Sequence, residues 1–362
     1  MRLVTAGLAF ASCAACATPG IDYVADIAPG NPAAASYTNV AVDQFQGPYA
    51  GWYGDRFRAM LVNAEFDGAP WFQVGLFGGQ SNVNGVFGGY LELSPVEAYE
   101  TYSYHTRCVL RDDDKTCVTR ERIEEVCVRF SASVAASPQL VDKDNLRVVH
   151  DATYTASRSR SVCGQTGYVE VFSVVDGEAI PHKKKGRRGR TRRHRAGSGY
   201  PFHYGLYRHP AYLPDPDDVV DGLYRDALED TVWQARRDLA PYNQVRRANF
   251  VSKAVDPALA ADPRFGLALD AAKQGDAQTS CAYWRDLSLQ YADAPAATHN
   301  SGACSEALGD YEGAQALYAK AAELSRDDGV QPLDRTLQAL SRISQRRVDN
   351  RVIDSLVEDP SS

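Results

Sequence analysis

Gly302-Ala303-Cys304-Ser305-Glu306-Ala307-Leu308-Gly309-Asp310-Tyr311-Glu312-Gly313-Ala314, running on through Leu317-Tyr318 to Ala321, is the stretch whose reading decides the architecture. Its Gly309-Asp310 pair repeats Gly275-Asp276 at a distance of 34 residues, the length of one helix–turn–helix unit. Small residues at Gly302, Ala314 and Ala321 suit positions where two helices cross closely, and Leu317, Tyr318 and Leu324 supply the bulk between them. The earlier copy reads Phe265, Leu267, Ala271, then Ser280, Trp284 and Leu287, and departs from the pattern at two small-residue positions. Two helical units over 261–328 are expected. Leu333, Leu337, Leu340 and Ile343 predict a further amphipathic helix, 329–354, capping the open end of the stack, with 355–362 as a loose tail.

This pattern, with Gly302, Gly309, Tyr311, Ala314, Tyr318 and Ala321 as its repeat positions, resembles the tetratricopeptide repeat family. The resemblance implies binding of a protein partner in the groove of the repeats, without catalysis. A plain helical hairpin with a chance period is the alternative.

The N-terminus, MRLVTAGLAFASCAACATPG, has one Arg, a short apolar run and a cluster of small residues. That run is well under ~18 residues, so it reads as a secretory signal over 1–16 and not as a spanning helix. Phe10-Ala11-Ser12-Cys13 resembles the bacterial lipoprotein box, with Phe10 where that box has Leu, and Cys13-Ala14-Ala15-Cys16 is a second candidate. The resemblance implies acylation of Cys13 or Cys16, and Ala14 or Ala17 in the next position implies an outer-membrane lipoprotein facing the periplasm. Ordinary cleavage after an Ala would give a periplasmic or secreted protein; both readings are of an exported chain. Residues 17–36, rich in Pro, Gly and Ala, are expected to be a linker.

Six cysteines remain: Cys108, Cys117, Cys127, Cys163, Cys281 and Cys304. An even number in an exported chain reads as disulfides, and the first spacings are too wide for a zinc knuckle. Cys281 and Cys304 flank the turn between the two units and are expected to pair. Connectivity among the other four is open, Cys108 with Cys117 and Cys127 with Cys163 being the most local choice.

At 362 residues, 44% hydrophobic, the chain fits a globular protein of two modest domains. The first, 37–241, is expected to be α+β: a mainly antiparallel sheet with packed helices, followed by the all-α repeats. Strands are expected over 37–45, 72–77, 83–93, 99–110, 116–134, 146–157 and 169–175. Helices are expected over 55–66 and 219–240, and 242–260 should connect the domains. Asp43-Gln44-Phe45 at a strand end, a helix, Trp71-Phe72-Gln73-Val74-Gly75 and Asn84 to Leu93 follow one another here. That order resembles the curli-secretion-channel family of outer-membrane lipoproteins and their periplasmic relatives. Nothing matches the insertions of the pore formers, so the resemblance implies a non-pore relative.

The net charge of -7 conceals Lys183, Lys184, Lys185, Arg187, Arg188, Arg190, Arg192, Arg193 and Arg195, nine cations with no acid among them. His182 to Arg195 has no apolar residue, so the basic loop 182–199 is expected to be disordered and solvated. After export its partner would be a polyanion such as anionic lipid or lipopolysaccharide, each cation adding ~1 kcal/mol near an anionic surface; no nucleic acid is expected. A tolerated loop without a partner is equally in keeping with its composition. The Gly-rich run 75–89 lacks a phosphate-loop pattern and reads as tight turns. No catalytic, cofactor or metal motif stands out, so the chain reads as a binding or assembly module of the cell envelope; an envelope enzyme of unrecognised type is the alternative.

Overall fold

Ile21-Asp22-Tyr23-Val24-Ala25-Asp26-Ile27 alternates strictly, and it builds a strand where a linker was expected. In the computed structural model, which describes residues 18–75, 82–111, 113–175, 178–181, 216–327 and 334–358, Ile21, Tyr23, Ala25 and Ile27 are buried while Asp22 and Val24 face out. The elements begin with β1 (Gly20–Ile27), α1 (Pro32–Ala35), β2 (Asn39–Gln46), α2 (Ala50–Val62), β3 (Glu65–Phe66), β4 (Ala69–Pro70), β5 (Gln73–Gly75) and β6 (Gly85–Leu93). Then come β7 (Glu97–Arg111), β8 (Cys117–Asp142), β9 (Val148–Asp151), β10 (Tyr154–Val175), β11 (Glu178–Pro181) and α3 (Pro216–Leu239). The chain closes with β12 (Tyr242–Asn249), α4 (Pro257–Ala261), α5 (Pro263–Lys273), α6 (Ala277–Gln290), α7 (Pro295–Ala307), α8 (Tyr311–Asp327) and α9 (Asp334–Glu358).

Two units result, and the fold is α+β as expected. Among the described residues, the first comprises those of 18–36, 65–71 and 237–358, the second those of 37–64 and 72–236. The helical unit is therefore assembled from three separate pieces of chain. Residues 242–260, expected as a connection, supply β12, the antiparallel partner of β1 from Gly20↔Asn249 to Ile27↔Tyr242.

In the second unit β8 is the organising strand. The sheet runs β11-β10-β8-β6-β2-β5, with β7 and β9 also paired to β8. Most pairs are antiparallel, but β2 runs parallel to both β5 and β6 because the α2 crossover returns the chain to the same end. Phe45 of β2, Tyr53 and Phe57 of α2, and Phe87 of β6 pack between helix and sheet, with Phe45–Tyr53 and Phe57–Phe87 meeting edge to face at centroid distances of 4.9 and 5.2 Å. On β8, Val128, Phe130 and Ala132 meet Val219 and Leu223 of α3. Gly89 (φ 149°) explains part of the glycine run: a Cβ there would stand 2.2 Å from the Ser137 carbonyl oxygen, so the residue is a strand-packing requirement.

Several expected elements move. The helix expected over 55–66 starts at Ala50 and stops at Val62, and Asp67-Gly68, both at positive φ, close the β3–β4 hairpin instead. The strand expected over 146–157 is broken. Leu146 takes φ 56° in a turn whose backbone N–H groups at Asp144 and Asn145 donate to the Asp142 carboxylate, and β9 ends before β10 begins. β8 runs on to Asp142, and β10 absorbs the short strand expected over 169–175. α9 continues to Glu358, through residues expected as tail, because Ile353 and Leu356 are buried on it.

The first unit carries two helical hairpins, α5–α6 and α7–α8, turning at Gly275 and Gly309, each with φ 81°. Each glycine ends one helix in the left-handed conformation, and the Asp after it caps the next: Asp276 accepts from the Thr279 N–H and Asp310 from the Gly313 N–H. At the α7–α8 crossing a Cβ on Gly302 would lie 3.2 Å from Leu317 and the Tyr318 ring. Ala314, Tyr318 and Ala321 are fully buried and Tyr311 packs at the edge of the core. Cys281 and Cys304 bridge α6 to α7.

Candidate functional site

β1 packs against α5, α7 and α9, and β12 against α7. These are the first helices of the two hairpins and the helix that follows them. The chain's own β1–β12 ribbon thus lies against the helices in which a partner groove was expected. The apolar ribbon residues enter this face, so an incoming segment would have to displace Ile21, Tyr23 and Ala25.

Beneath the ribbon lies a polar cluster. Glu306 of α7 has no exposure, yet four hydrogen bonds reach its two oxygens. Oε1 accepts from the Tyr23 hydroxyl (2.5 Å) and Arg342 Nε (2.6 Å); Oε2 accepts from the Tyr318 hydroxyl (2.7 Å) and Arg342 Nη2 (2.7 Å). A carboxylate offers about four lone-pair sites, and all are taken. Burial, then the Glu306 carboxylate, push both phenols far above their ordinary range, so they remain donors. Burial works against the Arg342 charge, but the hydrogen bonds and charge of Glu306 outweigh it and raise the guanidinium. The Glu306 side chain has no exposed face. The cluster is a latch joining β1, α7, α8 and α9.

The adjoining polar groups do the same for β12. Asn300 of α7 accepts from the Val251 N–H (2.7 Å) and donates to the Val251 carbonyl (3.0 Å), pairing with both backbone groups as a neighbouring strand would. His299 reaches the Asn249 carbonyl through Nε2 (3.1 Å) and the Thr336 hydroxyl through Nδ1 (2.8 Å). Because a carbonyl only accepts, Nε2 carries the proton and Nδ1 accepts. Burial depresses the His299 pKa to about 4, with the Arg342 and Arg335 charges adding to the effect and Glu306 and the Asn249 contact opposing it. At the other end of the ribbon Arg346, ion-paired to Asp349 at 3.0 Å, donates to the Asp26 carbonyl.

All six cysteines in the described residues are consumed: Cys108–Cys117, Cys127–Cys163 and Cys281–Cys304. Glu125, Cys127 and Cys163 come close enough to share a metal ion. The two sulfurs are bonded to each other, however, and the Glu125 carboxylate already meets His105 Nε2 at 2.6 Å. Cys13, Cys16 and the cations from Lys183 to Arg195 lie outside the described residues.

Sequence reasoning missed Tyr23, His299, Glu306 and Arg342. A signal existed for α7: His299, Gly302 and Glu306 are spaced three and four residues apart, which puts both polar residues on the face of the close helix crossing.

No family model matches the chain, and no curated protein matches it. Among solved structures, one from Caulobacter crescentus CB15, described as a "putative lipoprotein", is 13% identical and covers 57% of this chain and 86% of its own, with a TM-score of 0.19. At that score the likeness carries no argument about fold or function.

Proposed function

We propose that this chain is an exported cell-envelope protein, held to a membrane by an acyl group on Cys13 or Cys16, and that it binds a protein partner without catalysing a reaction. The observation that carries export is the pairing of all six described cysteines, since disulfides persist in oxidising compartments. The leader and its box supply the anchor.

A binding role over an enzymatic one is supported by the state of the convergent acid, base and phenols. They are closed around one another and hold the fold. The partner surface we favour is the arm formed by β7 with the facing parts of β8 and β10. Tyr99, Tyr102, Val109 and Leu110 are each about half exposed there, with Tyr99 and Tyr102 on opposite faces of β7, and Cys108–Cys117 and Cys127–Cys163 tie the strands together. Tyrosines are among the usual anchors of protein interfaces.

Replacing Cys13 and Cys16 together by Ser should release the protein from the membrane fraction, and Tyr99→Ser with Tyr102→Ser should abolish co-purification of a partner from detergent-solubilised envelopes. Unchanged membrane association would end the anchoring reading. Partner recovery undiminished by the tyrosine substitutions would end the arm's role.

A further inference from the structure

We infer that the end of the β1–β12 ribbon at Gly20 and Asn249 is the membrane-facing surface of the helical unit. This deepens the proposal above and rests on its anchored cysteine. The expected linker would have let the domain swing freely. Instead β1 begins at Gly20, only four residues after Cys16 and seven after Cys13. A fully extended chain spans at most ~3.6 Å per residue, so an acyl group on Cys16 lies within about 14 Å of Gly20, and one on Cys13 within about 25 Å.

The strand cannot lend slack to this tether. Pro19 already accepts from the Phe250 N–H at 2.8 Å, Tyr23 is latched to Glu306, and residues from Gly20 to Ile27 are paired throughout. Lengthening the tether would mean pulling Ile21 and Tyr23 out of the core.

The surface at this end is defined by the chain leaving β12 and by the start of α9. Arg335 donates to the Phe250 carbonyl at 3.0 Å, and exposed Lys253 and Val255 follow within a few residues of it. Leu337, half exposed, lies one turn into α9. Among the described residues named here, the charges of Lys253 and Arg335 are matched by those of Asp256 and Asp334. Covalent reach holds it against the head groups, and the placement is therefore insensitive to salt.

The far end of the ribbon, at Ile27 and Tyr242, stands about 23 Å away at ~3.3 Å per residue. The two ends can be told apart in the full acylated chain reconstituted in vesicles whose head groups bear a nitroxide. A fluorescent amino acid at Lys253 should be quenched at least about twofold more than the same probe at Asn243, equally at low and high salt. Inserting 20 Gly/Ser residues between Ala17 and Thr18, with a root-mean-square length of about 25 Å, should bring the two probes close to parity.

Equal quenching before the insertion, in protein whose N-terminal peptide carries the acyl mass, would overturn this placement and leave the anchoring reading standing. Absence of the acyl mass would overturn both. Quenching at Lys253 that survives the insertion would overturn covalent reach as the cause.

Discussion

Replacing Glu306 by Ala should lower the stability of the helical unit by about 3 kcal/mol, the low end of the range for stranding a buried charge. The substitution leaves the Arg342 guanidinium without its bidentate partner and removes the acceptor of two phenols, Tyr23 and Tyr318. The low end applies because the Arg342 side chain keeps 23% exposure and water can reach it. Arg342→Met in the same chain should restore part of the loss, since the uncompensated charge is then gone. Calorimetry on the single and double variants checks this. If Glu306→Ala alone leaves the helical transition in place, the cluster is not a latch.

Acid should loosen the same unit through His299. Its folded pKa of about 4 lies below the ordinary 6.5. Between those values the unfolded chain binds the proton and the folded one does not, so stability rises with pH across the window. The contribution is complete above pH 6.5, is lost as pH falls, and levels off below about 4. The difference between the two values corresponds to about 3 kcal/mol. His299 is faced by Arg342, Arg335, Glu306, the Tyr318 ring 5.0 Å away and the Thr336 hydroxyl. The carboxylates also titrate toward the acid end, so the comparison is with His299→Gln, whose stability should be flatter over the same window. Parallel curves for the two proteins would remove His299 as the cause.

The helical hairpins were legible in the sequence because their signals are local. A glycine that can take φ 81° followed by an Asp that caps the next helix is one physical device, and it occurs twice at the helix–turn–helix period. Gly302 and Ala314 could be read for the same reason, as close crossings demand small residues. β1 escaped because its partner is remote. Composition around it is Pro-, Gly- and Ala-rich, as in a tether, and only pairing with Asn249 to Tyr242 gives its alternating residues a core to enter.

Glu306 escaped because an acid in a short helix ordinarily faces water. Besides Tyr318 of the next helix, its oxygens are satisfied by a tyrosine from the start of the chain and an arginine from near its end. Neither is predictable from the helix itself, although the shared face with Gly302 placed it inward. The parallel pairing of β2 is a third case: the strand and α2 were both anticipated, but the crossover decides direction, and periodicity does not carry it.

Amide hydrogen exchange over residues 20–27, read by mass spectrometry on the intact oxidised protein, tests the central claim most directly. If the N-terminal strand is an integral part of the helical unit, its amides exchange only with the unfolding of α7 and α9, as slowly as the core of those helices. Exchange of this segment at the rate of an unstructured tether, while α7 and α9 stay protected, would contradict the account.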